Sequence, residues 1–313
     1  MHATSARLRL TAALAVLAAA FAPPSDARGQ TPGREPAVVE ISASTRAAAL
    51  GHAFQLGAPD ADVIFYNPAL VERAAGSMMG GVHVLGDGAL GFTLSAARSW
   101  FGGGVGLGLQ VLEYDAPGAG RRAGGLDPLV ADGGSGTADL AASLAVARTL
   151  LGFRVGVVGK VVAQRFADFR QASGSLDVGL AHEVGPLTAG LSVRNLGPDR
   201  PLAPEGDVPQ PRLVTLGVGG YGQQVGPLDL GLAAAVTLRD DEEVVVGGGL
   251  EIGYWPVIGR TFVFRAGART VPEGDASPLT LGASYRGDEL VLSWAWQGVD
   301  DLDGVHRFSV GWR

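Results

Sequence analysis

The chain has 313 residues, no cysteine, a formal net charge of −7, 47% hydrophobic residues and 49 glycines, with a mean hydropathy of +0.23. Without cysteine neither a disulfide framework nor a thiolate metal site is available, and the acidic balance speaks against nucleic acid, which selects a basic face. This much glycine and apolar residue is unusual for a globular enzyme, and beyond the N-terminus no apolar run reaches the roughly 18 residues of a membrane-spanning helix.

Arg7 and Arg9 precede an apolar run over 10–22, and Ser25-Asp26-Ala27 offers small residues where a signal peptidase reads. Residues 1–27 are therefore expected to be a signal peptide, with a retained anchor as the competing reading. Its loss removes two arginines and one aspartate, taking the charge from −7 to −8. Residues 28–38 read as extended or disordered, and 39–44 alternate weakly, as an edge strand would.

Residues 45–70 carry the most information. A small-residue helical run, Ala47, Ala48, Ala49 and Leu50, is broken by Gly51 and Gly57. A short apolar segment, Val63 to Tyr66, ends in Asn67-Pro68-Ala69, where proline removes a donor and pushes Asn67 out of the helical region. On spacing alone this is a helix, a turn and a strand. The order Arg46, Leu50, Gly51, Ala53, Phe54, then Asp60, Asp62, Phe65, Tyr66, Asn67, Pro68 and Ala69 resembles the N-terminal plug of FadL-like outer-membrane barrels, and within them the PorV/PorQ branch. His52 and Gln55 stand where that branch has small apolar residues. The resemblance implies an N-terminal extension and plug over 28–75, with Arg46, Gly51, Phe54, Tyr66, Asn67, Pro68 and Ala69 as plug motif, and a barrel over 76–313.

Residues 71–75 read as a short helical link, and from Gly76 onward the period is two. Leu107, Leu109 and Val111 alternate with Gly106, Gly108 and Gln110; Phe262, Phe264 and Ala266 alternate with Val263, Arg265 and Gly267. One face suits lipid and the other is small or polar, the dyad pattern of a membrane barrel. An exported, hydrophobic chain without helical spans has one way to satisfy its backbone in lipid, a closed antiparallel barrel. The expected fold is all-β, a transmembrane barrel of about fourteen strands with a small plug. The strands fall at 77–86, 88–97, 101–113, 137–148, 151–164, 174–184, 186–195, 212–222, 226–239, 242–254, 260–269, 277–286, 288–297 and 304–313.

Even-numbered connections are short and the two longest, 114–136 and 196–211, are odd-numbered. A soluble sandwich has no reason to sort its loops this way. The long loops would be extracellular and both termini periplasmic. Tyr254, Tyr285, Trp294, Trp296 and Trp312 suit an interfacial girdle. The terminal strand resembles a barrel-assembly signal except that Arg313 follows Trp312, and 250–269 with 306–309 resembles the end of PorV/PorQ proteins.

Chemistry is sparse. The five histidines are scattered, no nucleophile elbow is present, and Gly102 to Gly108 lacks the Lys-Ser/Thr of a phosphate loop. Asp300, Asp301 and Asp303 read as a solvated turn rather than a calcium site. No catalytic residue, metal or cofactor is expected. Inward positions carry both charges: Arg154, Lys160, Asp177, Glu183, Arg194, Asp229, Glu251, Arg265, Arg269, Arg286 and Arg307. They suit a salt-bridged interior holding the plug better than an open polar conduit. The resemblance further implies a lateral opening at the third strand, here Gly102, Gly103 and Gly104; the alternative is that these glycines make room for Phe54 or Tyr66. The function it implies is a non-enzymatic outer-membrane barrel that binds or hands over exported cargo, as in type IX secretion. The alternatives are FadL-like uptake of hydrophobic small molecules and a purely structural barrel. Partners would be outer-membrane lipid with secreted proteins, secretion-complex subunits or hydrophobic small molecules, and no nucleic acid.

Overall fold

A computed structural model describes residues 37–313 apart from 40, 54–55, 86–88, 115–136, 167–168, 199, 203–205, 209, 241–242, 258, 271–276 and 300–301. The expected signal peptide, Phe54, the first long loop and the Asp300-Asp301 pair lie outside the described residues. The strands are β1 (Met78–Val84), β2 (Leu90–Trp100), β3 (Gly103–Tyr114), β4 (Thr137–Leu150), β5 (Phe153–Phe166), β6 (Phe169–Val184), β7 (Leu187–Leu196), β8 (Arg200–Leu202), β9 (Gly206–Val208), β10 (Leu213–Val225), β11 (Leu228–Arg239), β12 (Val244–Val257), β13 (Arg260–Arg269), β14 (Leu279–Arg286), β15 (Leu290–Val299) and β16 (Leu302–Trp312).

Fourteen of these close into one antiparallel barrel, each beside its chain neighbours, and β1 pairs with β16 to seal it. The pair β8–β9 is a separate hairpin in the second long connection, which reads from sequence as plain loop. Period two sorts the wall as expected. Leu107 and Leu144 are about 60% exposed on the outside, while Gln110, Asp139 and Ser143 are buried inside. With both edges joined, every strand finds backbone partners on two sides, the condition that hydrocarbon imposes.

The short turns at Gly185 and Gly287 fall where expected, and the first two sit two residues later. β2 and β4 run on to Trp100 and Leu150, and the chain reverses at Phe101-Gly102 and Leu151-Gly152. All four have positive φ, 44° and 73° in one pair and 52° and 83° in the other, the mirror-image turn whose twist matches a hairpin. Gly222, expected at a turn, is a bulge inside β10, and the reversal comes at Gly226. Phe101 and Leu151, each more than 80% exposed, end on this rim with Trp100 and Trp312.

The core of the molecule is the lumen, and the plug fills it. Leu50, Leu56, Ile64, Leu70 and Val71 are fully buried against the wall. Three expected elements differ here. Residues 39–44 add no strand, because a closed wall offers no edge; the chain makes a single 3-10 turn, Ala37–Val39, instead. The apolar stretch before Asn67 is a 3-10 turn, Ala61–Phe65, and residues 71–76 are a run of turns rather than a helix.

Inward glycines shape the cradle. A Cβ at Gly156 would overlap Pro68 and Ala69, one at Gly179 would overlap Asn67, and one at Gly267 would overlap Leu50 and Gly51. Gly159, on the outer face of the same strand as Gly156, has open space. Gly156→Val is therefore expected to yield a closed barrel, seen by heat-modifiable migration in gels, whose plug is cut by added protease. Gly159→Val should keep the plug protected.

Candidate functional site: the plugged lumen

The plug crosses the lumen from end to end. Val38 and Val39 pack with Leu112, Ala141 and Val162 near the long-loop ends of β3 to β5. Gln110 Nε2 donates to the Val38 carbonyl at 3.0 Å, and the Val38 amide reaches Asp139 Oδ2 at 3.4 Å. At the other end Glu72 accepts from the Thr149 hydroxyl at 2.8 Å, beside the short turns. The first described residues and Arg313 thus lie at opposite ends of the lumen.

Helix α1 (Thr45–Ala49) starts at Ser44, whose hydroxyl accepts from the Ala47 amide. One turn of helix brings Arg46 against β12. Its Nε donates to both Glu251 oxygens at 3.0 and 3.2 Å, its Nη2 also pairs with Glu251, and its Nη1 donates to the Ala58 carbonyl. Glu251 further accepts from Arg265 Nε at 3.0 Å and has Arg286 Nη2 at 3.9 Å. A carboxylate 2% exposed is thus shared by three guanidiniums, one from the plug and two from the wall. Glu251 is the residue that sequence reasoning undervalued; its inward parity among Gly247, Gly249 and Gly253 was the available signal.

Gly51, at φ 65°, turns the chain where any side chain would strike the backbone of Ala268. Its amide donates to Thr280 Oγ1 at 3.1 Å. Asn67 is fully buried and spends its amide in three directions. Oδ1 accepts from the Ala69 amide at 3.1 Å, while Nδ2 donates to the carbonyls of Leu180 and Leu191 at 3.2 and 3.3 Å. The Asn-Pro-Ala turn is thereby tied to β6 and β7, and Pro68 and Ala69 sit in the space left by Gly156 and Gly179. The Tyr66 hydroxyl lies 2.8 Å from Ser42 Oγ and accepts from the Ser44 amide at 3.0 Å. Arg194 stacks over the Tyr66 ring and donates to the Phe65 carbonyl at 3.0 Å.

The plug motif therefore converges, within the described residues, on one interface with the wall. Five of the eleven inward charges form buried ion pairs of the kind expected: Glu251 with Arg265 and Arg286, and Lys160 with Asp177 at 2.9 Å. Glu183 differs: it is exposed at the rim and pairs with Arg154 and Arg73. Gly102, Gly103 and Gly104, where the resemblance implies a lateral opening, lie in continuous wall. Gly102 belongs to the tight turn, and Gly103 and Gly104 are paired without a break to β2, Gly104 to β4 as well. Of these three only Gly104 makes room for the plug, with Gly106 and Gly108 after it, and the plug residues it and they admit are Glu72, Val71, Ile64 and Phe65 rather than Tyr66; Gly103 lies against Ala147 of β4 and Gly102 has open space.

Two spaces remain beside the plug. One, of about 100 Å³, lies towards the long loops and is lined by Ile41, Tyr66, Lys160, Arg194 and Leu213 among others. The second, of about 10 Å³, lies by Asp60, Asp62 and Arg46, room for about one water. Neither is a pore. Asp60 caps the 3-10 turn by accepting from the Asp62 amide, and Asp62 accepts from Ser95 Oγ at 2.7 Å. Burial, then the neighbouring Asp60 charge, pushes the Asp62 carboxyl up to about 8. His52, bonded to Gln297, is held well below the ordinary imidazole range by burial and then by Arg269 and Arg307.

No family model matches the chain, and no curated protein matches it. Solved structures do resemble it. The Pseudomonas putida toluene transporter TodX covers 87% of this chain and 96% of its own at a TM-score of 0.54 and 10% identity. A deltaS2 mutant of the TodX monoaromatic hydrocarbon channel gives 0.58 at 12% identity, over 88% and 97%. A Pseudomonas aeruginosa FadL homologue gives 0.50 at 14% identity, over 87% and 98%. The chain shares with them the fold of an outer-membrane β-barrel.

Two outcomes follow for the plug. Glu251→Gln strands three guanidiniums, whereas Arg46→Ala leaves Glu251 with two, so the former should destabilise plug docking more, by about 3 kcal/mol or more. Protection of the plug against protease across a denaturant series measures this. Asp62 keeps its proton in the lumen far above 3.8, its ordinary value. His52, kept neutral in the lumen, opposes docking below its ordinary 6.5, whereas a released Asp62 would ionise near 3.8, so the Asp62 contribution to docking is full at low pH, is lost as pH rises from about 4 to about 8, and is level above that. Asp62→Asn should flatten most of that dependence.

Proposed function

We propose that this barrel is an uptake channel of the outer membrane for hydrophobic small molecules, with the plug as the element that yields to let them pass. The observation that carries the reading is the way the plug is held. It is fixed to the wall by an ion-pair cluster and single hydrogen bonds around small apolar residues, attachments that can be exchanged one by one. A wall needed only as scaffold has no use for a removable filling. The neighbours add support, since one is a toluene transporter and others are a monoaromatic hydrocarbon channel and a FadL homologue. Hand-over of secreted proteins, the function implied by the PorV/PorQ resemblance, draws no such support and is not carried further. Passage is through the lumen, since the wall is closed at Gly103 and Gly104. The short turns face the periplasm and the long loops the exterior, with membrane lipid around the apolar band.

The chain lacks cysteine, so a plug–wall disulfide is a clean test. A Cβ at Gly282 would touch that of Ala49 in α1. Cells expressing the Ala49→Cys, Gly282→Cys pair should take up labelled toluene only after reduction, while cells with the unaltered barrel take it up under both conditions. Equal uptake by the oxidised pair, or uptake by the unaltered barrel no faster than by cells without it, would refute the reading.

A further inference from the structure

Most buried cations in the lumen have an evident partner. Arg46, Arg265 and Arg286 share Glu251, Lys160 has Asp177, and Arg194 donates to a plug carbonyl. Arg307 departs from this. It points inward from β16, is 3% exposed, and its Nε and Nη1 are buried without a hydrogen-bond partner. No ion pair to it is formed among the described residues. Directly across the seam on β1 stands His83, 2% exposed, whose Nε2 lies 3.3 Å from the Thr93 hydroxyl and whose Nδ1 is also without a partner. On the other side Arg307 faces Ala295 of β15, on which Ala48 and Ala49 of the plug helix rest. Among the described residues the groups within electrostatic reach are Tyr66, Arg269, His52 and His83, with no carboxylate among them.

A guanidinium removed from water without an acceptor costs several kcal/mol, and buried donors in folded proteins are nearly always satisfied. Two such donors, a second orphan on the facing imidazole and a surrounding of only cationic and neutral groups describe a site that lacks its anion. We propose that a small free anion, halide or compact oxyanion, binds between the plug and the closing seam of the barrel. Arg307 Nε and Nη1 donate to it. With Nε2 accepting from Thr93, His83 carries its proton on Nδ1 and supplies a further donor. The anion neutralises the seam and holds β16 and β1 to the plug near His52 and Tyr66. It is a fixed constituent of the lumen, distinct from any molecule carried through it.

Crystals soaked in sodium bromide should show an anomalous peak roughly 3.5 Å or less from Arg307 Nε or Nη1, within reach of a charge-assisted hydrogen bond. In solution the melting midpoint should rise by a few degrees when chloride replaces gluconate at equal ionic strength. Arg307→Met, similar in length and without charge, should lose both the peak and the chloride response. No bromide at Arg307 in the unaltered protein, or an unchanged chloride response in Arg307→Met, would overturn the proposal. Should that variant not fold, the bromide map of the unaltered protein decides alone.

Discussion

Hydrocarbon cannot accept a backbone hydrogen bond, and the whole molecule answers to that fact. A strand that crosses lipid needs partners on both sides, so the sheet has to close, and here it closes through seven residue pairs between β1 and β16. Closure creates an interior. Fourteen strands enclose more space than their own small inward side chains can fill, and the filling has to come from elsewhere in the chain. Residues 37–77 supply it. The plug is thus less an added domain than the core that a barrel of this width lacks.

The fit between plug and wall is achieved by subtraction. Where the plug backbone comes closest, the wall has glycine: Gly156 and Gly179 at the Asn-Pro-Ala turn, Gly104 at Glu72, Gly267 at Leu50 and Gly51. Such an interface is close but offers little apolar area per contact, so polar links carry much of the attachment. Glu251, Asn67 and Thr280 each join a wall strand to the plug through charge or hydrogen bonds in a place with little water. In that setting each link is strong while made and costly when left unmade, so the seated plug is well defined.

The barrel was legible because its signal repeats. Period two with apolar residues on one parity recurs in strand after strand, and loop parity confirms the direction of each. Turn positions were less legible. Phe101 and Leu151 look like strand residues, and only the left-handed backbone they share with the following glycine reveals the reversal. The local geometry of 61–76 also escaped, since short 3-10 turns leave no period. Asn67 was readable as a turn residue; its bonds to Leu180 and Leu191 were not, because they depend on strands more than a hundred residues away. The partnership of Arg46 with Glu251 spans 205 residues and involves a charge that sequence could place on the inner face but not opposite any particular partner. Resemblance pointed to the plug and to the barrel fold, while the pairing of Gly103 and Gly104 with their neighbours could be read only from the structure.

That separation of 205 residues has a consequence in time. Arg46 leaves the ribosome long before β12, β13 and β14, yet its acceptor and both neighbouring guanidiniums belong to those strands. The link to Thr280 is also in β14, and that to Gln297 lies later still, in β15. Until the C-terminal third of the wall is in place, the helix that carries Arg46 has nowhere to dock. It must wait as an exposed polypeptide through export and insertion, and its small, glycine-broken, charge-bearing sequence is suited to that wait. That helix is made early in the chain and finds its structure late.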